Sequence, residues 1–108
     1  MKKVLNFSEA LEAIKEGKMV RRCAWREDIF IFRQVPATIP LEVIPKMQCL
    51  PEAVKHEFDR RSKDETIQVS GIYYSNQLAL VNSSNLIQSY SPSVADVLAD
   101  DWELYGAI

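Results

Sequence analysis

Four prolines lie close together in the middle of this 108-residue chain and restrict what it can fold into. They are Pro36, Pro40, Pro45 and Pro51. Proline fixes its φ angle and lacks a backbone N–H, so neither a helix interior nor a central strand accommodates it. A stretch without regular structure inside a compact domain is usually functional or inserted. The sequence therefore predicts one domain, residues 1–108, with a proline-rich insertion at about residues 36–65.

Helical and strand patterns precede the prolines. Asn6 and Glu9 have the spacing of a capping box, apolar residues follow at helical spacing, and Gly17 provides a left-handed end. Residues rich in β-branched and aromatic side chains come next, after an exposed loop that contains Trp25. The predicted elements are a helix over Phe7–Glu16, a short strand over Lys18–Arg22 and a strand over Ile29–Val35.

The part that follows the prolines is mostly a strand pattern. Pro51 is placed to open a helix, and alternation with a period of two begins at Thr66. Ser93 and Asp96 form a second capping arrangement. The predicted elements are a helix over Glu52–Arg61, an antiparallel meander of Ile67–Tyr73, Gln77–Val81 and Leu86–Tyr90, a short helix over Val94–Ala99 and a closing strand over Trp102–Tyr105. The predicted fold class is α+β: a small antiparallel β-sheet with an N-terminal helix and one or two short helices.

Composition excludes several function classes. The single histidine, His56, argues against a metal cluster or a catalytic triad, and the three glycines form no phosphate-binding loop. A net charge of −2 argues against binding to polymeric nucleic acid, and the short apolar runs argue against a membrane span or a signal peptide. Cys23 and Cys49 are read as reduced thiols. We expect a cytoplasmic protein without a metal or cofactor.

Charge is distributed unevenly along the chain. All thirteen Lys and Arg residues and nine acids lie in residues 1–63, whereas residues 64–108 hold six acids and no base. The two halves are therefore expected to attract each other. The attraction can be satisfied within one copy or between the copies of a symmetric oligomer, and the sequence leaves both open.

Three segments together resemble a small phage family, the second type of Thoeris anti-defence protein, which was long catalogued as a domain of unknown function. They are the opening helix Asn6–Ile14 with Gly17 and Lys18, the stretch Val20–Trp25, and the stretch Tyr90–Glu103. The order and spacing of Arg-x-x-Trp and of Pro-Ser-x-x-Asp-x-Leu-Ala-x-Asp-Trp carry the resemblance. This chain has Tyr90 where the family usually has tryptophan, and a longer middle.

The resemblance implies a binding protein and no enzyme. Family members are small α+β homotetramers that sequester a cyclic ADP-ribose-type messenger made by a bacterial TIR protein, and some hold cyclic dinucleotides at separate sites. The expected partners are thus a cyclic nucleotide signalling molecule and further copies of this chain. An interaction module without a small-molecule ligand is the alternative, and a nucleotide hydrolase that uses paired acids ranks last.

Residue types that such a ligand requires are present. Nanomolar capture corresponds to about −12 kcal/mol, more than one shallow surface supplies, so we expect a pocket enclosed between copies. The expected ligand-binding residues are Arg22, Trp25, Arg26, Phe30, Asn82, Tyr90, Ser91, Ser93 and Asp96. Trp25 has a polar neighbourhood that favours an exposed stacking surface, whereas Trp102 is assigned to the core. Arg22 and Arg26 are the expected phosphate contacts, with solvated surface positions as the alternative.

Overall fold

The first helix, α1 (Phe7–Lys15), begins at the predicted capping box. In the computed structural model, which describes residues 3–26 and 28–106, the Asn6 side chain accepts a hydrogen bond from the Glu9 N–H at 2.8 Å. The Glu9 carboxylate accepts one from the Asn6 N–H at 3.0 Å. Gly17 follows the helix with a φ of 91°, a conformation that glycine adopts without a steric penalty. The predicted helix is confirmed.

Seven strands occur in the described ranges. They are β1 (Met19–Arg22), β2 (Phe30–Gln34), β3 (Ala37–Pro40), β4 (Gly71–Tyr74), β5 (Gln77–Val81), β6 (Ile87–Ser89) and β7 (Trp102–Tyr105). Five of them form an antiparallel sheet in the order β6-β5-β2-β1-β7, and β3 pairs with β4 in a separate two-stranded sheet. Together with the helices, they confirm the predicted small α+β fold.

The chain divides into two compact units. The first unit runs up to Val35 and resumes at Asn76, and the second unit is Pro36–Ser75. In the first unit, α1 packs against β1, β2 and β7 of the five-stranded sheet. The core cluster is Leu5, Ala10, Ala13, Ile14, Val20, Ile31 and Trp102. Trp102 has no exposed surface, as expected for a core residue.

The second unit corrects the expectation of an irregular proline-rich stretch. It contains β3 and a 3-10 helix over Leu41–Lys46, and its helix α2 (Glu52–Ser62) confirms the predicted helix over Glu52–Arg61. The prolines occupy positions that tolerate them, since Pro40 ends an edge strand, Pro45 lies in the 3-10 helix and Pro51 precedes the first residue of α2. Prolines thus set the ends of short elements here instead of abolishing them.

The predicted three-stranded meander is wrong in its first strand. Residues before Gly71 form turns, because the Asp64 side chain accepts from the Thr66 N–H at 2.9 Å and the Asp64 carbonyl accepts from the Ile67 N–H at 3.0 Å. The strand therefore shortens to β4 and pairs with β3 instead of β5. At Gly71, a Cβ atom would lie 2.2 Å from the Ile39 carbonyl oxygen, so only glycine fits this close approach.

The second unit is inserted between two paired strands of the first. Gln34, the last residue of β2, is the register partner of Gln77, the first residue of β5, and the Gln77 side-chain N–H donates to the Gln34 side chain at 3.0 Å. The third helix, α3 (Val94–Leu98), precedes β7. No helix in the described part of the chain is long and apolar enough to cross a membrane.

Candidate functional site

Asp96 is a hydrogen-bonding centre at the start of α3. The Ser93 side chain caps the helix by accepting from the Asp96 N–H at 3.1 Å, and Asp96 Oδ2 accepts from the Ser93 N–H at 3.3 Å. Oδ2 also accepts from the Tyr90 hydroxyl at 2.6 Å, and Oδ1 accepts from Arg22 Nη1 at 3.0 Å. A carboxylate offers about four acceptor positions, so these contacts leave room for one further donor.

Arg22, the last residue of β1, pairs with Asp96 on α3 and with Asp101, the residue directly before β7. Its Nε donates to Asp101 Oδ1 at 2.8 Å while its Nη1 donates to Asp96. The Cys23 N–H donates to the Asp101 carbonyl at 2.8 Å and fixes the backbone beside this pair. The hydrogen bonds to Asp101 and Asp96 raise the pKa of Arg22. Two carboxylates therefore neutralise a guanidinium that the sequence offered as a phosphate contact, and Arg22 positions Asp96.

Burial and hydrogen bonding move the pKa values of Asp96 and Tyr90 apart. Burial alone would raise the pKa of Asp96, but the donors on Tyr90, Arg22 and Ser93 outweigh it and hold the pKa below its ordinary value of 3.8. Burial, followed by the neighbouring carboxylate, raises the pKa of Tyr90. At neutral pH, Asp96 is thus an ionised acceptor and Tyr90 a neutral donor.

The predicted exposure of Trp25 is wrong. The backbone N–H of Trp25 donates to the Arg22 carbonyl at 3.0 Å, and the Trp25 carbonyl accepts from the Arg21 guanidinium. This turn leaves the indole half-buried, with its ring centre 5.3 Å from that of Trp102 and 6.0 Å from that of Tyr90, both edge-on. Aromatic rings prefer such edge contacts. The rings of Trp102 and Tyr90 thus give Trp25 the apolar surroundings that its neighbours in the sequence do not provide.

An open cavity of about 410 Å³ lies beside this network in the first unit. Its lining residues are Trp25, Arg26, Ile29, Leu80, Tyr90 and Asp96. The volume falls within the usual range for organic ligands, about 300–1,000 Å³. Arg26 is exposed and forms no ion pair with any residue that the structure describes. Aromatic edges, apolar walls, a guanidinium and a carboxylate thus meet in one concave surface, which we name the Asp96 cavity.

The remaining expected ligand residues lie outside this lining. Ser93 is engaged in capping, and Ser91 is exposed in the segment that precedes it. The Asn82 side chain accepts from the Ser84 and Leu86 N–H groups and so shapes the turn between β5 and β6. Phe30 is the neighbour of the buried Ile31 on β2, so it points to the opposite sheet face, where it stacks on Tyr105 at 4.7 Å.

Sequence reasoning missed three residues of this region. Ile29 and Leu80 line the cavity, and Asp101 holds Arg22. The sequence predicts that Leu80 lies in a strand. It does not show that Leu80 is paired with the buried Ile31, because that pairing follows only from the register of β2 and β5. No group of three or more His, Cys, Asp or Glu side chains among residues 3–26 and 28–106 is arranged to hold a metal ion.

The chain is similar to known proteins over almost its whole length. A family profile described as the Thoeris anti-defense 2-like domain matches residues 5–105. A curated relative named Thoeris anti-defense 2, from Bacillus phage SP01, is 26% identical over 105 residues. That alignment covers 96% of this chain and 98% of the relative. The matched range includes all residues of the Asp96 cavity.

Proposed function

This chain belongs to the Thoeris anti-defense 2-like family, and we propose that it is a sponge: it binds a cyclic ADP-ribose-type immune messenger made by a TIR protein and holds it unchanged. The observation that carries the proposal is the Asp96 cavity, where Trp25, Arg26 and Tyr90 surround one ionised carboxylate. As part of the same proposal, the protein acts on this soluble messenger in the cytoplasm of an infected bacterial cell.

The side chains of the cavity match the parts of such a ligand. The indole of Trp25 and the ring of Tyr90 offer surfaces against a base, and base–aromatic stacking contributes about 1–3 kcal/mol. Arg26 offers a cation to a phosphate, because no described carboxylate pairs with it. The remaining acceptor position of Asp96 suits a ribose hydroxyl or an adenine amine, whereas a phosphate would be repelled.

The chemistry of Asp96 supports binding rather than turnover. A general acid at neutral pH needs a raised pKa, and the pKa of Asp96 is lowered. Its two oxygens also accept hydrogen bonds from Arg22, Tyr90 and Ser93, which restrain its movement towards a substrate. We therefore rank a hydrolase below a sponge.

We further propose that a second copy of the chain closes the cavity. Nanomolar capture requires about −12 kcal/mol, and the contacts of one open surface supply only part of it. Enclosure between copies adds contacts and excludes water, and the resemblance implies a homotetramer. Light scattering of the purified protein at micromolar concentration measures the oligomeric state, with four copies as the expected result and a monomer as the contrary one.

A retention experiment tests the ligand. The protein is incubated with glycocyclic ADP-ribose, desalted and heated, and the released material is analysed by mass spectrometry. The intact nucleotide is expected from wild type, with much less from Arg26→Gln and an undiminished amount from Lys46→Gln, a matched loss of one exposed charge in the second unit. Absence of retention, or recovery of a converted nucleotide, contradicts the proposal.

A thermal shift panel separates the sponge from an interaction module. A ligand at 100 times its Kd stabilises the folded state by about 2.7 kcal/mol, which gives a clear shift. The interaction module predicts no response to any nucleotide in the panel. Arg26→Gln serves as the control here as well, because a shift that persists in this variant comes from another surface.

A further inference from the structure

We propose that the first unit carries a second small-molecule site, separate from the Asp96 cavity, that binds an organic carboxylate with an apolar body. A cavity of about 430 Å³ opens between the second half of α1 and the paired ends of β2 and β5. Leu11 and Lys15 line it from the helix, and Arg33 and Leu78 line it from the strands. It shares no lining residue with the Asp96 cavity.

The charge on the walls of this cavity has one sign. Arg33 and Lys15 line it, and no carboxylate from residues 3–26 or 28–106 does. Arg33 is half-buried and donates from Nε to the neutral Asn76 side chain at 3.0 Å, and it forms no ion pair with a described residue. Among the described residues, Lys15 forms an ion pair only with Glu12, at 4.0 Å, and both side chains of this pair are mostly exposed. A partly desolvated guanidinium without a counter-charge favours an anion beside it.

The hydrogen-bonding groups fit two oxygens of one carboxylate. With Nε of Arg33 directed at Asn76, the edge formed by its two Nη groups is available, and that edge binds a carboxylate in a bidentate manner.

Apolar walls distinguish an organic acid from an inorganic anion. Leu11, Ile14 and Leu78 supply them, and burial of apolar ligand surface against such side chains is the main favourable contribution in organic ligand sites. The last turn of α1 presents the negative end of the helix dipole, which repels any anion, and Lys15 in that turn offsets this repulsion for a bound carboxylate. The combination selects an aromatic or aliphatic acid.

Matched probes test the head group and the site together. 2-Naphthoate and its neutral counterpart 2-naphthamide are titrated into the full chain, and binding is followed by shifts of backbone amide resonances. Shifts are expected at Leu11, Arg33 and Gln77, with the amide binding at least about tenfold more weakly than the acid, because it lacks the charged hydrogen bonds. Arg33→Gln should reduce the affinity for the acid to that for the amide, and Arg26→Gln should leave both unchanged.

Several results would overturn the proposal. They are equal affinities of acid and amide, equal effects of Arg33→Gln and Arg26→Gln, shifts confined to other surfaces, or no shift at millimolar probe. If the dispersion of the spectrum shows that Arg33→Gln is unfolded, Lys15→Gln replaces it, with an expected loss of about threefold from a more distant charge. The probe contains no nucleotide, so this outcome is independent of the sponge proposal.

Discussion

The Tyr90 hydroxyl donates a 2.6 Å hydrogen bond to Oδ2 of Asp96, the carboxylate that also completes the capping box of α3. One side chain thus begins a helix and orients an aromatic ring that lines a cavity. Arg22 approaches the other oxygen from β1, so the carboxylate joins three parts of the first unit.

Asp96 makes the free energy of unfolding depend on pH in the acid range. Its folded-state pKa lies below the ordinary value of 3.8, so its stabilising effect is fully present above that pH and is lost as the pH falls through the folded-state pKa. Asp96→Asn should lower the free energy of unfolding by about 1–3 kcal/mol at pH 7, and the difference from wild type should shrink below pH 3.8. Urea denaturation across the acid range measures both quantities.

The neighbouring Asp100→Asn is the control for this effect. Asp100 is exposed and outside the Asp96 network, so its substitution should change the free energy of unfolding by less than about 0.5 kcal/mol. A pH-independent difference between Asp96→Asn and wild type would mean that the charge of Asp96 does not contribute.

Substitution of Trp25 should affect stability and binding together. Trp25→Ala removes edge contacts with Trp102 and Tyr90, so we expect a loss of about 2 kcal/mol in the free energy of unfolding. Trp25→Phe keeps a ring at this position and should retain most of the stability. If the indole stacks on the ligand, both variants bind more weakly, and only Trp25→Ala shows a large fall in the denaturation midpoint. An unchanged midpoint in Trp25→Ala would contradict the packing seen here.

Removal of the second unit should leave the first unit folded. Gln34 and Gln77 are register partners, so an Asn-Gly turn that joins them in place of residues 35–76 closes a hairpin between β2 and β5. Circular dichroism should show a cooperative unfolding transition, and the retention assay should give binding within about threefold of wild type. An aggregated or molten product would show that residues 36–75 are needed for the fold.

Gly71→Ala should destabilise the second unit. The added Cβ would lie 2.2 Å from the Ile39 carbonyl oxygen, and a backbone atom cannot move away as a flexible side chain can. Hydrogen exchange should accelerate at the β3 and β4 amides by at least about tenfold. Ser75→Ala, an exposed change in the same unit, should leave exchange as it is in wild type.

Local features were predictable from the sequence, whereas packing between distant segments was not. Both capping boxes depend on residues three positions apart, so Asn6 with Glu9 and Ser93 with Asp96 could be identified directly. The burial of Trp25 depends on Trp102, far along the chain, and a local polar neighbourhood gives no sign of it. For the same reason, the pairing of β4 with β3 was not anticipated.

The candidate site follows the same division. Trp25, Arg26, Tyr90 and Asp96 were expected from residue type and family resemblance, and the structure brings them to one cavity. The ion pairs of Arg22 could not be predicted, because they require β1 to lie beside both α3 and the residue before β7.

If Asp96 contacts the ligand as proposed, it has two roles, ligand binding and capping of α3, and this combination limits how the chain can evolve. A change at this position that altered ligand preference would weaken the start of α3 at the same time, since the same oxygen serves Ser93 and Tyr90. Arg26, Ile29 and Leu80 border the same space without taking part in that capping. Ligand preference can therefore change more readily by substitution of these three residues. We expect related sequences to vary at these three positions and to keep an aspartate at position 96.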